Sequence, residues 1–121
     1  MPWAPSIIPL QINKLGNIAF IAVPGEITTI AAKRLKAALT EKLSGMEIII
    51  SSYANGFMGY ITTPEEYDMQ CYEGGHTIYG RNTLPVLIEA YLELLDPNSD
   101  LNFRKLKSFQ FPEAELKLRS L

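Results

Sequence analysis

Two short apolar runs with a helical pattern between them constrain the fold most. Residues 18–23 (IAFIAV) and 46–51 (MEIIIS) are rich in β-prone side chains and too short for buried helices. The segment between them carries an apolar stripe at helical spacing, made of Ile27, Ala31, Leu35, Ala38, Leu39 and Leu43. A strand, a helix and a strand in this order predict a crossover with two parallel strands, and the continuous apolar runs predict that both strands are buried. We therefore expect an α/β (or α+β) fold, in which this crossover builds a small mixed sheet covered by two to three helices.

The other elements are predicted from turn and cap signals. A short strand begins near residues 10–12, and a turn at 15–17 leads into the run at 18–23. The sequence TPEE at 63–66 is a strong helix start, and that short helix is expected to end before Gly74. A last helix follows a loop at 76–81 and is stopped by Pro97.

Residues 1–97 are thus expected to form the folded part, and residues 98–121 a tail of different character. The tail alternates partly over 101–111 and carries basic residues there, which favours an edge strand or an extended arm. Residues 113–121 have the pattern of a short amphipathic helix.

Composition excludes several classes of protein. The chain has 121 residues, enough for one domain, and a net charge of −2 that gives no basic surface for nucleic acid. Its one cysteine, Cys71, cannot form an internal disulfide. Residues 1–5 (MPWAP) show neither the basic nor the apolar region of a secretory signal. No apolar run approaches the roughly 20 residues that span a bilayer, and the compartment stays unassigned.

Glu26 is the first candidate for a functional role. It follows a Pro-Gly turn at the end of the run at 18–23 and precedes a helix. A carboxylate at this place either favours the helix N-terminus electrostatically or projects into a cleft as a metal ligand or acid–base group. Because the carboxyl ends of parallel strands meet at one edge, we expect the loop of Glu26 to lie beside the loop at 55–67.

Four tyrosines, at positions 60, 67, 72 and 79, are concentrated after the second run. The ring of such a tyrosine is usually buried at the edge of a core, and its hydroxyl is hydrogen-bonded. The alternative is that one phenol ligates a metal or donates to a developing oxyanion. His76 is the only histidine and is read as a loop residue, because a zinc site takes three or four protein ligands. Cys71 is expected to be buried or half-buried within a helix.

Three segments together resemble the neutral (non-lysosomal) ceramidase family. They are PGEITT at 24–29, NGFMGYITTPEEY at 55–67 and QCYEGGHTIYG at 70–80. The resemblance runs in order from about residue 3 to residue 91 and implies a zinc-dependent amidase that hydrolyses the N-acyl bond of ceramide or a related lipid amide. It implies zinc ligands at Glu26 and Tyr60, and a role for Tyr72 in polarising the amide carbonyl or stabilising the oxyanion. Family members are often secreted or membrane-associated on the outer face.

The departures from the family pattern limit this expectation. The family's two histidine ligands and its serine nucleophile come from segments without a counterpart here, and His76 stands where the family usually has Ser. The chain therefore resembles the C-terminal part of the catalytic domain, and we expect it to be inactive alone. The alternative is a non-catalytic interaction module, which covers its apolar face by forming a homo-oligomer or by binding a partner chain.

Overall fold

The computed structural model describes residues 4–99. In chain order the elements are β1 (Gln11–Leu15), β2 (Ile18–Ala22), β3 (Glu26–Ile27), α1 (Thr29–Thr40), β4 (Glu47–Ser51), β5 (Tyr60–Ile61), α2 (Pro64–Asp68), α3 (Tyr72–Gly75) and α4 (Thr83–Leu94). The predictions for 101–111 and 113–121 lie outside the described residues. Within 4–99, no helix is both long and apolar enough to cross a membrane.

The main sheet has the strand order β1-β2-β4 and is mixed, as the sequence predicts. The β2 strand pairs antiparallel with β1 and parallel with β4, which confirms the strand-helix-strand crossover. The prediction that both strands of the crossover are buried is wrong for β4. Ile48 is buried, but Ile49 is 37% exposed. The reason is that side chains alternate between the two faces of a sheet, so that Ile48 faces the core and Ile49 lies on the opposite face, beside the half-buried Phe20.

Two amphipathic helices supply most of the core above this sheet. Helix α1 buries Ala31, Leu35 and Leu39, and it packs against α4, which buries Leu84 and Leu87. Full burial of a leucine side chain stabilises a fold by about 1.5–3 kcal/mol.

The hydroxyl of Tyr91, on α4, donates a hydrogen bond of 2.6 Å to the carbonyl of Ala22, at the end of β2. Tyr91 is itself completely buried. This bond therefore anchors α4 to the strand that leads into the Pro-Gly-Glu turn.

The single short helix predicted after Thr63 is in fact two helices, α2 and α3. Gln70 adopts a left-handed backbone with φ of 50°, and its side-chain amide donates to the carbonyl of Tyr67, so that α2 ends there. Helix α3 includes Gly74, where an added Cβ would lie 2.7 Å from the carbonyl oxygen of Glu66. The glycine lets α3 pack closely against α2. Cys71 precedes α3 and is exposed, so the prediction of a buried helical cysteine is wrong.

The sequence did not predict strands β3 and β5. They form a separate two-stranded parallel sheet directly after β2 and after the loop that follows β4. Two residues are too few for a period-2 pattern, so both segments were expected to be loops. Their side-by-side placement was nevertheless expected, and the structure confirms it.

Candidate active-site face

Glu26 and Tyr60 are Cα partners in the short parallel ladder of β3 and β5. The ladder continues on both sides of this pair, because the amide of Glu26 donates to Gly59 and the amide of Thr28 donates to Ile61, each at 3.0 Å. Since side chains alternate between the faces of a sheet, partners in register lie side by side on one face. Both side chains are half-buried. The structure thus brings together the two residues singled out as metal ligands.

The acidic and phenolic groups of this pair are electrostatically coupled. A hydrogen bond from the Tyr60 hydroxyl lowers the pKa of Glu26, and a second bond from Tyr53 and the nearby His76 act in the same direction. The same bond to Glu26, assisted by desolvation, raises the pKa of Tyr60 to about 12. The two tyrosines therefore favour the ionised form of Glu26, and Glu26 favours the protonated form of Tyr60.

The Pro-Gly-Glu turn is fixed by the loop that follows β4. The hydroxyl of Ser52 and the amide of Tyr53 both donate to the carbonyl of Gly25, at 2.7 and 3.1 Å. The amide of Met58 donates to Pro24 at 2.8 Å. An added Cβ on Gly25 would lie 2.6 Å from the carbonyl oxygen of Gly59. Glycine at this position therefore permits the close approach of the two backbones.

Tyr72 and His76 form an aromatic wall beside Tyr60. The ring of Tyr72 is 67% exposed and meets the ring of Tyr60 edge-on, with centroids 5.7 Å apart. The His76 ring lies 4.4 Å from Tyr72 and 6.5 Å from Tyr60. His76 Nδ1 is 2.6 Å from the backbone carbonyl of Tyr72, and it carries the proton of this bond because a carbonyl only accepts. His76 is thus a satisfied loop histidine, as expected, but it also belongs to the candidate site.

Buried threonines hold the segment of Tyr72 and His76 against β5. The hydroxyls of Thr62 and Thr77 are 3.0 Å apart, and both residues are buried. Thr77 donates its single hydroxyl proton to the carbonyl of Glu73, so the bond between the threonines is donated by Thr62. The amide of Tyr60 donates to the carbonyl of His76 at 3.2 Å. These bonds fix the position of the aromatic wall relative to Tyr60.

One carboxylate connects the starts of the two helices that follow β3 and β5. Thr28 and Thr63 are the N-caps of α1 and α2. Glu66 completes a capping box by accepting from the amide of Thr63 at 2.8 Å, and the same oxygen accepts from the hydroxyl of Thr28 at 2.7 Å. Because each helix starts just after its strand, this bridge supports the register of Glu26 and Tyr60.

Comparison with known proteins agrees with the resemblance seen in the sequence. Residues 1–89 match the family model described as neutral/alkaline non-lysosomal ceramidase, N-terminal. The chain belongs to this family. It is 41% identical over 101 residues to neutral ceramidase 2 of Arabidopsis thaliana, a match covering 76% of this chain and 13% of that protein. The chain is 39% identical over 98 residues to neutral ceramidase A of Dictyostelium discoideum, a match covering 78% of this chain and 14% of that protein.

The crystal structure of neutral ceramidase from Pseudomonas aeruginosa has the same fold over the matched region. It superposes with a TM-score of 0.75 at 32% identity, covering 78% of this chain and 15% of that one. The chain therefore spans about one seventh of the length of the family members it matches. The match supports the α/β fold of this ceramidase segment.

The described part of this ceramidase-family chain offers an incomplete set of metal donors. Glu26 and Tyr60 provide a carboxylate and a phenol side by side, and both oxygens are hard ligands acceptable to zinc. Within residues 4–99, no cluster of three or more His, Cys, Asp or Glu side chains is placed to hold a metal ion. The donors present fit two positions of a tetrahedral shell.

Proposed function

We propose that this chain forms one wall of a zinc-dependent amidohydrolase site, which cleaves the N-acyl amide of ceramide or a related lipid amide. The observation that supports the proposal is the registered pair of Glu26 and Tyr60, which puts a carboxylate and a phenol side by side on adjacent strands of a ceramidase-family fold. The names of the matched proteins support the class of substrate.

The two proposed ligands differ in how readily they bind a metal. Glu26 is already a carboxylate at neutral pH, since its pKa is lowered from an ordinary value of 4.5. Tyr60 has its pKa raised to about 12 and must lose its proton in order to ligate. Metal binding at this face therefore releases a proton and weakens as the pH falls. When bound, zinc would supply a Lewis acid and lower the pKa of a bound water.

Tyr72 is the proposed donor to the substrate carbonyl. Its ring is largely exposed beside Tyr60, so that a substrate can reach its hydroxyl. A phenol in this place donates a hydrogen bond to the oxygen on which negative charge develops during attack on an amide. The bond from His76 to the backbone of Tyr72 and the contact between the two rings hold Tyr72 in position.

The described residues supply only part of the proposed machinery. A catalytic zinc site normally has three protein ligands, and Glu26 and Tyr60 account for two of them. The remaining ligands and the nucleophile would come from a separate segment of a ceramidase-type catalytic domain. We therefore expect the 121-residue chain alone to be inactive.

A chimera tests the proposed function. In it, the segment of the P. aeruginosa neutral ceramidase that aligns with this chain is replaced by the matching segment of this chain. We expect the chimera to hydrolyse a fluorescent ceramide, and we expect Glu26→Gln and Tyr60→Phe to abolish this activity. Tyr72→Phe should lower kcat while the zinc content stays the same. A folded, active chimera that tolerates both Glu26→Gln and Tyr60→Phe would show that the proposed ligands are wrong.

The exposed edge of the main sheet favours a second candidate function, that of an interaction module. Strand β4 has the sequence EIIIS, and Ile49 on it is 37% exposed. An apolar edge strand is a template for pairing with another chain. Under this alternative the full chain forms a homo-oligomer, which light scattering would detect. A monomer at high concentration would exclude self-association through β4.

A further inference from the structure

We propose that the uncovered face of the main sheet is an interface, and that its partner is the part of a ceramidase-type catalytic domain that carries the remaining zinc ligands. This inference rests on the function proposed above. It goes further by naming the surface through which the wall of Glu26 and Tyr60 meets the rest of the site.

The two faces of the main sheet differ in how they are covered. On one face, Ala19, Ile21 and Ile48 belong to the buried core, together with residues of α1 and α4. The other face, called the open face below, carries apolar side chains from all three strands. They are Leu15, Ile18, Phe20 and Ile49. Among the residues that the structure describes, none of these four belongs to the core cluster.

The four side chains of the open face form one continuous patch. Leu15 is the register partner of Ile18, and Phe20 is the partner of Ile49. Partners lie side by side, and residues two apart on a strand share a face, so the patch crosses from β1 to β4. Leu15 is 70% exposed and Ile49 is 37% exposed, whereas the two residues of β2 are half-buried. Contiguous exposed apolar surface marks a site of interaction.

The surroundings of the open face favour a protein partner. Asn13 lies opposite Phe20 and Glu47 lies opposite Ile18, so polar side chains border the apolar centre. An apolar centre with a polar rim is typical of protein–protein interfaces. The edge strand β4 carries isoleucine at 48–50, without the lysine or proline that protects many edge strands. A protein segment that packs here would cover both the face and its edge.

The position of the open face indicates which protein segment fits. Strands β2 and β4 run parallel and end together, since the amide of Val23 donates to the carbonyl of Ser51 at 2.8 Å. Glu26 follows the Pro-Gly turn at this end of the sheet, and Tyr60 is its register partner. A segment packed along the open face therefore reaches the strand ends where the proposed ligands lie.

The incomplete site and the open face require the same partner. Glu26 and Tyr60 supply two ligands, whereas a catalytic zinc normally has three from protein. The chain spans about one seventh of the length of the family members it matches. The rest of a ceramidase-type domain would supply both the further ligands and the surface that covers the open face. A second copy of this chain would cover the face but would only repeat the same two ligands.

Thiol labelling tests whether the open face becomes covered. Ile49→Cys places a thiol on this face, and Lys36→Cys places a control thiol on the exposed side of α1. Both variants also carry Cys71→Ser, because Cys71 is itself exposed. In the 121-residue chain both thiols should react rapidly. In the chimera, Ile49→Cys should react about 100-fold more slowly, because the thiol is reached only when the interface opens, and Lys36→Cys should stay rapid.

A second variant measures how much the interface stabilises the protein. Ile49→Lys should leave the thermal midpoint of the 121-residue chain nearly unchanged, since lysine is common on exposed edge strands. In the chimera it should lower the midpoint by about 5 °C or more, because an unpaired charge is then buried.

The outcomes separate this inference from the function on which it rests. If Ile49→Cys reacts as rapidly in a folded, active chimera as in the chain alone, the interface is refuted and the proposed function stands. If the thiol is protected but Glu26→Gln and Tyr60→Phe leave zinc binding intact, the function is refuted and the interface stands. Protection already present in the 121-residue chain would refute the partner, and light scattering would show whether a second copy covers the face instead. A chimera that does not fold would show that the open face does not fit a ceramidase-type domain.

Discussion

The hydroxyl of Thr28 donates a 2.7 Å hydrogen bond to the carboxylate of Glu66, which is 38 residues further along the chain. Thr28 caps the helix after β3, and Glu66 belongs to the capping box of the helix after β5. The contact links the N-termini of the two helices directly. It couples the two strand ends that carry Glu26 and Tyr60.

Removal of this bridge should destabilise the fold. Glu66→Ala removes the acceptor of both Thr28 and the Thr63 amide, and we expect the free energy of unfolding to fall by about 1–2 kcal/mol. Urea denaturation measures this change. Glu65→Ala is the matched control, because the ion pair of Glu65 with Arg34 is exposed and should contribute little. Equal effects of the two substitutions would contradict a specific role for Glu66.

The close approach of two backbones at Gly25 predicts a second effect on stability. Gly25→Ala places a Cβ 2.6 Å from the carbonyl of Gly59, and a backbone atom cannot rotate away. We expect a loss of about 1–3 kcal/mol, as for other overpacked sites. Gly75→Ala is the control, since a Cβ there meets nothing within 4 Å and Gly75 lies in α3. A tolerated Gly25→Ala would contradict the close approach of the two backbones at this turn.

Because the hydroxyl of Tyr91 is buried, we expect the fold to lose stability at alkaline pH. Burial raises its pKa above the ordinary value of 10.0, and its hydroxyl donates to Ala22. Below pH 10 both the folded and the unfolded chain keep the proton, so the stabilisation is complete. Above pH 10 the unfolded chain ionises first, and the stability falls as the pH rises toward the folded-state pKa.

The measurement is the free energy of unfolding between pH 8 and pH 11, expected to fall by up to about 1.4 kcal/mol per pH unit for this one proton. Tyr91→Phe should flatten the curve and lower stability at pH 8 by about 1 kcal/mol through the lost hydrogen bond. Some slope should remain, because the pKa of Tyr60 is also raised. An unchanged slope in Tyr91→Phe would contradict the assignment.

The parts of the fold that the sequence predicted are those with a repeated pattern. The stripe that includes Leu35 and Leu39 is long enough to define the buried face of α1. The two-residue strands carrying Glu26 and Tyr60 have no period of their own, and hydrogen bonds from residues far away in the chain create them. The exposure of Ile49 likewise depends on which face of the sheet is covered by other elements, which no local pattern encodes.

The residue pattern alone was not enough to predict the candidate site. For Glu26 and for the tyrosines, the pattern of residues left a structural and a functional interpretation open. Only the resemblance to the ceramidase family singled out Glu26 and Tyr60 as metal ligands. The left-handed backbone of Tyr53 and the stacking of its ring on Phe57 were not predicted, because its sequence neighbours do not reveal them.

The central claim is that Glu26 and Tyr60 are paired metal ligands in a site that needs further ligands. A zinc titration of the chimera, its Glu26→Gln and Tyr60→Phe variants and the 121-residue chain alone tests it most directly. We expect the chimera to bind one zinc ion, and each variant to bind it about 100-fold more weakly or worse. The chain alone should show no tight binding, since two ligands are too few. Unchanged zinc affinity in the variants, or tight one-to-one binding by the chain alone, would contradict the claim.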